Sequence, residues 1–254
     1  MRLLGRLTIM VLRAVGAVAL VCARTALALR HVSGRELARA LTLFGYRSLP
    51  LTLGAATMIG ATVVLQAGVY ATRFGLRLFT GWAAGYALIW EFGPLLLGLI
   101  MAARIGARNA AELSLLSVNG QLEGLRGISL DPFRLLVAPR VVAAFLSVGA
   151  LAAVTFLVAI LWEAVAAFFT LHLPLRVFFT SFPDMLRWTD LVGGLTKTII
   201  FGGAIAVIST AVGLRTRGGA QGVGRAAAEA VVACCATIFA LDLLLTPLLS
   251  RWLS

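Results

Sequence analysis

Residues 89–106 read IWEFGPLLLGLIMAARIG. The run is apolar over a length that can cross a bilayer, yet it contains Glu91. A charged group at that depth costs about 2.5–3.5 kcal/mol on insertion scales, so a chain that keeps one there uses it, usually facing a bundle interior. Three residues on, Pro94 removes a backbone hydrogen bond and favours a kink or break near Trp90. Gly98, Ala102 and Gly106 then repeat at four-residue spacing, a small-residue ladder that lets another helix approach closely, from the same chain or from a second copy.

The rest of the 254-residue chain fits that frame. It is 61% hydrophobic and 13% charged, with a mean hydropathy of +1.00, which predicts an all-α, polytopic membrane protein with no second, soluble domain. Five membrane spans are predicted at about 49–70, 82–103, 139–162, 193–214 and 226–249. The net charge of +12 suits the positive-inside rule and anionic headgroups. No basic stripe interleaved with aromatics points to nucleic acid. Sixteen Arg residues fall on one side of the predicted spans and five on the other, giving N-inside, C-outside.

Residues 1–47 form the lead-in. LTIMVLRAVGAVALVCA could be a span or a cleaved signal, but Arg2, Arg6, Arg13 and Arg24 fall within about 40° on a helical wheel. A continuous cationic edge predicts an amphipathic helix lying in the cytoplasmic interface. Residues 48–254 are the transmembrane domain. Within it, a charged segment at about 108–127 carries Leu115, Val118, Leu122 and Leu125 at helical spacing and stops at Asp131-Pro132. That apolar stripe is covered either by its own membrane domain or by a partner subunit. The outer connection, 163–192, carries Phe168, Phe169, Phe178, Phe179 and Trp188, which suit the membrane interface.

Several chemistries lack their residues. GGLTKT (193–198) is not a P-loop, and GVGRAA (222–227) joins two spans rather than a strand and a helix. His31 and His172 stand alone, Cys22, Cys234 and Cys235 have no ligand spacing, and no metal or cofactor is expected. What remains is Glu91, Lys197 and Asp242. At 1.5 Å per residue, Lys197 and Asp242 lie about 6 Å, and Glu91 about 13 Å, below the outer surface of a core about 30 Å thick. All three fall in the outer half, where they could pair or line one polar cavity.

The stretches EFGPLLLGLIMAARIGARNAAEL (91–113), QLEGLRGISLDPFRLLVAPR (121–140) and GVGRAAAEAVV…LD (222–242) resemble the MlaE/YrbE family, permease subunits of MCE-type lipid ABC transporters. Two positions depart from the family pattern. Trp90 stands where an Arg usually precedes the glutamate, and Asn119-Gly120-Gln121 replaces a Thr-Glu-Gln triplet. The resemblance implies a homodimeric, multi-pass permease of the bacterial inner membrane, without enzymatic activity of its own. A cytoplasmic ATPase would dock on the helix at about 108–127, through Glu112, Leu115, Val118, Gln121, Leu122, Glu123 and Leu125. An MCE-domain lipid-binding protein would sit on the outer face, and membrane phospholipid would pass between that protein and the bilayer through a cavity at the dimer interface. Glu91, Lys197 and Asp242 would couple ATP-driven motion to the cavity. A secondary transporter using the intramembrane carboxylates, or a polytopic lipid-modifying enzyme, are the alternatives. The first lacks paired broken helices in repeated halves, and the second lacks a nucleophile or metal beside its carboxylates.

Overall fold

A computed structural model describes residues 16, 18–28, 34–182 and 186–253, and among them there are helices and turns but no strand. Among the described residues nine helices carry the architecture: α1 (Val18–Ala28), α2 (Gly34–Phe44) and α3 (Leu49–Arg73), α4 (Arg77–Val118), α5 (Gln121–Gly127), α6 (Phe133–Leu171), α7 (Leu175–Thr180), α8 (Trp188–Gly213) and α9 (Gly219–Leu253). Five stretches of the described residues are long and apolar enough to cross a membrane: Gly34–Arg73, and the runs of α4, α6, α8 and α9. This is a multi-pass α-helical membrane protein.

Helix ends follow local chemistry. Pro50 sits in the first turn of α3, where its missing N–H is not needed. α4 is a single helical run interrupted by two π-helical turns, Leu88–Phe92 and Ala102–Gly106. The first lies directly before Pro94, the expected site of disruption, so the proline is accommodated by a local widening rather than a break.

The predicted spans are shorter than the helices. α6 runs to Leu171 rather than ending near 162. Glu163, Phe168 and Phe169 are therefore helical, and the connection to α8 shrinks to 172–187, within which α7 forms. α8 begins at Trp188, not near 193, so Lys197 lies nine residues into it, about 13 Å along its axis. The single helix expected at about 108–127 is two, because α4 ends at Val118 and α5 starts at Gln121. Between them Gly120 adopts φ 69°, a left-handed conformation that glycine takes without a Cβ penalty. Arg2, Arg6, Arg13 and His31 lie outside the described residues.

The chain divides into two compact units, and α4, α6, α8 and α9 contribute to both. The first unit takes the described residues up to Phe44 with Met101–Phe145 and Gly203–Thr237. In it, Val18 and Val21 of α1 pack against Phe133 and Val137 of α6 and Val207 and Ala211 of α8. Arg24 lies over the Phe133 ring, 5.2 Å from its centroid, a cation–π contact. The described part of the N-terminal helix thus rests on other helices along one edge and exposes Leu20, Arg24 and Leu27 along the other.

The second unit takes Gly45–Ile100, Leu146–Gly202 and the chain from Ile238 onward. Its core joins Ala56, Val63 and Val64 of α3, Ala84 and Leu88 of α4, Ala159, Ala164 and Ala167 of α6, and Phe178 of α7. Small residues permit the approach. A Cβ added at Gly60 would overlap the Ala159 carbonyl, the close packing by which membrane helices associate without a hydrophobic driving force. Arg77 donates to the Leu171 carbonyl at 2.8 Å, placing a cation on the C-terminus of α6.

Candidate functional site

Pro94 has no N–H to offer the carbonyl four residues earlier, that of Trp90. Lys197 of α8 supplies the missing donor: its Nζ lies 2.9 Å from the Trp90 oxygen. The same ammonium donates to Glu91 Oε1 at 3.0 Å, to Asp242 Oδ1 of α9 at 3.2 Å and to Thr246 Oγ1 at 2.7 Å. Three N–H groups therefore face four acceptors from α4 and α9. Thr246 closes the ring, its hydroxyl reaching both Glu91 Oε1 at 3.0 Å and the Asp242 carbonyl at 2.8 Å. The side chain of Lys197 is 0% exposed, against 15% for Asp242 and 37% for Glu91. The cation is inside and the carboxylates stand progressively further out.

Local packing makes room for this cluster. Gly193 and Gly194 of α8 lie against the π-helical turn of α4. A Cβ on Gly194 would overlap the Ile89 carbonyl, and one on Gly193 the Trp90 ring. Trp90 in turn stacks on Tyr86, with centroids 6.2 Å apart and planes at 18°, and its ring centroid is 5.5 Å from Lys197 Nζ. The aromatic at the position where the family pattern has arginine thus presents a π face to the buried ammonium. A lysine with this many partners is a pin that holds α4, α8 and α9 at one point, since withdrawing it would leave two carboxylates facing each other.

The small-residue ladder of α4 meets helices of the same chain. A Cβ on Gly98 would lie 3.1 Å from Phe201 and 3.4 Å from Ile238, and one on Gly106 would lie 3.5 Å from Cys234 and 3.6 Å from Ile205. Ala102 between them is fully buried.

The residues expected to dock an ATPase separate into outward and inward groups. Leu115 is 52% exposed, and Gln121 and Glu123 are exposed. Val118 and Leu125 are half-buried, whereas Leu122 is 7% exposed and packs inward. Glu112 is engaged by its own chain, 2.8 Å from Arg108 Nε and 3.1 Å from Arg140 Nη1.

Arg140 belongs to a second network that sequence reasoning missed. Asn109, 1% exposed, donates to Ser209 at 2.9 Å and Thr210 at 3.0 Å, and its Oδ1 accepts from Arg140 at 3.3 Å. α4, α6 and α8 are knitted by polar groups here, six residues before Leu115 on α4. Glu163 was also missed. It is 0% exposed, and neither carboxyl oxygen has a hydrogen-bond partner among the described residues. The sequence carries a signal for it: the apolar run continues through Ala164–Phe169, beyond the predicted end of the third span.

Residues 37–248 match the family described as Permease MlaE. A probable ABC transporter permease protein of Rickettsia typhi is 33% identical over 213 residues, 84% of this chain and 82% of that protein. A probable ABC transporter permease protein of Synechocystis is 28% identical over 209 residues, 82% of this chain and 80% of its own length. The chloroplastic protein trigalactosyldiacylglycerol 1 of Arabidopsis thaliana is 32% identical over 202 residues, 80% of this chain and 58% of that protein.

Proposed function

The chain belongs to the MlaE permease family, and from that membership we propose that it is the membrane-spanning subunit of an ABC transporter for phospholipid. It works as a homodimer in the bacterial inner membrane. A separate cytoplasmic ATPase docks on the outward residues of α4 and α5, among them Leu115, Gln121 and Glu123. An MCE-domain protein on the periplasmic face exchanges lipid with the permease.

The observation that carries this reading is the Lys197 pin. One buried cation holds the π-helical turn of α4, α8 and the C-terminal third of α9 through Trp90, Glu91, Asp242 and Thr246. Helices so joined move together or must exchange partners, which is what a transporter driven from elsewhere requires of its membrane domain. The coupling role suits the site better than direct headgroup binding, because Lys197 is enclosed. Support for a lipid cargo comes from the family and from a relative that carries the name of a galactosylated diacylglycerol.

A secondary transporter would use Glu91 or Asp242 as an exchangeable ion carrier, yet both are occupied by Lys197. A lipid-modifying enzyme would need a nucleophile or metal beside these carboxylates, and among the described residues no group of three His, Cys, Asp or Glu side chains could hold a metal ion. The test is co-purification followed by transfer. The detergent-solubilised chain is expected to bring down an ATPase, and the complex in proteoliposomes to move labelled phospholipid to a soluble acceptor only with ATP. Transfer by the chain alone, or driven by an ion gradient, would refute the proposal.

A further inference from the structure

Within the first unit, α1, the end of α4, α5 and the α8–α9 connection surround a basin of about 960 Å³. Four of its lining residues are arginines: Arg24 of α1, Arg126 of α5, and Arg215 and Arg217 of the connection. One carboxylate, Glu123, shares the lining. None of the four guanidiniums is in an ion pair among the described residues. Arg24 is instead steadied by the Phe133 ring, 5.2 Å away. Gly218 and Gly219, at the start of α9, complete the wall. The first backbone bond of α9 runs from Gly222 N–H to the Gly218 carbonyl at 3.3 Å, so the N–H groups before it have no partner within the helix.

We infer that this basin binds the phosphate headgroup of an anionic phospholipid, as a bound lipid of the leaflet beside it rather than as cargo. Charge complementarity argues for an anion: four cations from three elements face one carboxylate, and a helix N-terminus adds its partial positive charge. The flanking surface argues for a lipid as its source. On α1, Leu20 and Leu27 are 61% and 78% exposed and lie four residues before and three after Arg24, on the same helical face. Acyl chains would lie along those leucines while the phosphate meets Arg24, Arg126, Arg215 and Arg217. Because α5 and the end of α4 line the basin, an occupied site braces the two helices assigned to ATPase docking, and lipid composition becomes a regulator of coupling.

The test uses the full chain purified in neutral detergent, with bound lipid counted by native mass spectrometry. Phosphatidylglycerol is offered against phosphatidylcholine, to the wild type, to Arg215→Gln/Arg217→Gln, and to Arg73→Gln/Arg176→Gln as a control on exposed arginines of the other unit. At roughly a factor of five per interfacial cation, the first variant is expected to lose about 25-fold in phosphatidylglycerol affinity, and the control to keep it. Equal retention of both lipids by the wild type, or equal losses in both variants, would overturn the site. Displacement of phosphatidylglycerol by excess inorganic phosphate would make it a free-phosphate site and overturn the lipid assignment. So would a variant that keeps phosphatidylglycerol but loses its ATPase, which would mark the arginines as a protein interface.

Discussion

Lys197 places a fully buried ammonium among four acceptors, and its removal would strand Glu91 and Asp242 together. Breaking a buried pair from one side costs about 3–5 kcal/mol, whereas neutralising all members together costs far less. Glu91 is partly exposed and screens part of that cost. Lys197→Met is therefore expected to lower the melting temperature in detergent. The triple variant Lys197→Met/Glu91→Gln/Asp242→Asn is expected to recover most of the loss without recovering lipid transfer. Recovery of both would reduce the cluster to a structural tie. Glu163 poses the opposite case. Its carboxyl is buried with no partner among the described residues, and an unsatisfied polar group costs on the order of 1–3 kcal/mol. Glu163→Leu should raise the melting temperature, measured by the same melts. A fall would reveal a partner for the carboxyl.

At the scale of elements, α4 decides most. Pro94 opens the turn whose carbonyl Lys197 caps. Pro94→Ala restores a competing N–H at that carbonyl, and is expected to leave stability equal or higher while transfer falls, measured by melts and transfer assays on one preparation. Gly194→Val inserts a side chain where the Ile89 carbonyl stands. It should destabilise by more than 3 kcal/mol, seen as loss of the folded monodisperse peak. These features divide by how visible they are in sequence. Glu91, Lys197 and Pro94 stand out because a charge or a missing donor inside an apolar run violates the chemistry of its surroundings. Thr246 and Asn109 do not, since an uncharged polar side chain is ordinary in a membrane helix. The division of the 108–127 segment turned on Gly120. Composition shows a weak helix former there, and only the backbone shows φ 69°. Helix ends differ from the predicted spans at Glu163 and Trp188 because a single carboxylate breaks an otherwise apolar run at each place, Glu163 before Ala164–Phe169 and Asp190 within 188–192, and the helix continues through it.

At the scale of the molecule, the chain is a member of the MlaE permease family, and the driving force proposed for it comes from another polypeptide. The outward position of Leu115 and the inward position of Leu122 give different outcomes for similar changes. Leu115→Glu is expected to leave a folded protein that no longer retains the ATPase in a pull-down. Leu122→Glu is expected to destabilise the chain itself, because it buries a charge. If Leu115→Glu keeps the ATPase, docking lies elsewhere. The most direct test of the whole scheme is ATP-driven phospholipid transfer in proteoliposomes holding equal amounts of the wild-type and Lys197→Ala complexes. Transfer should drop at least about tenfold, roughly 1.4 kcal/mol of lost coupling, while insertion and ATPase retention stay unchanged. Equal transfer by the two complexes would contradict the role given to Lys197.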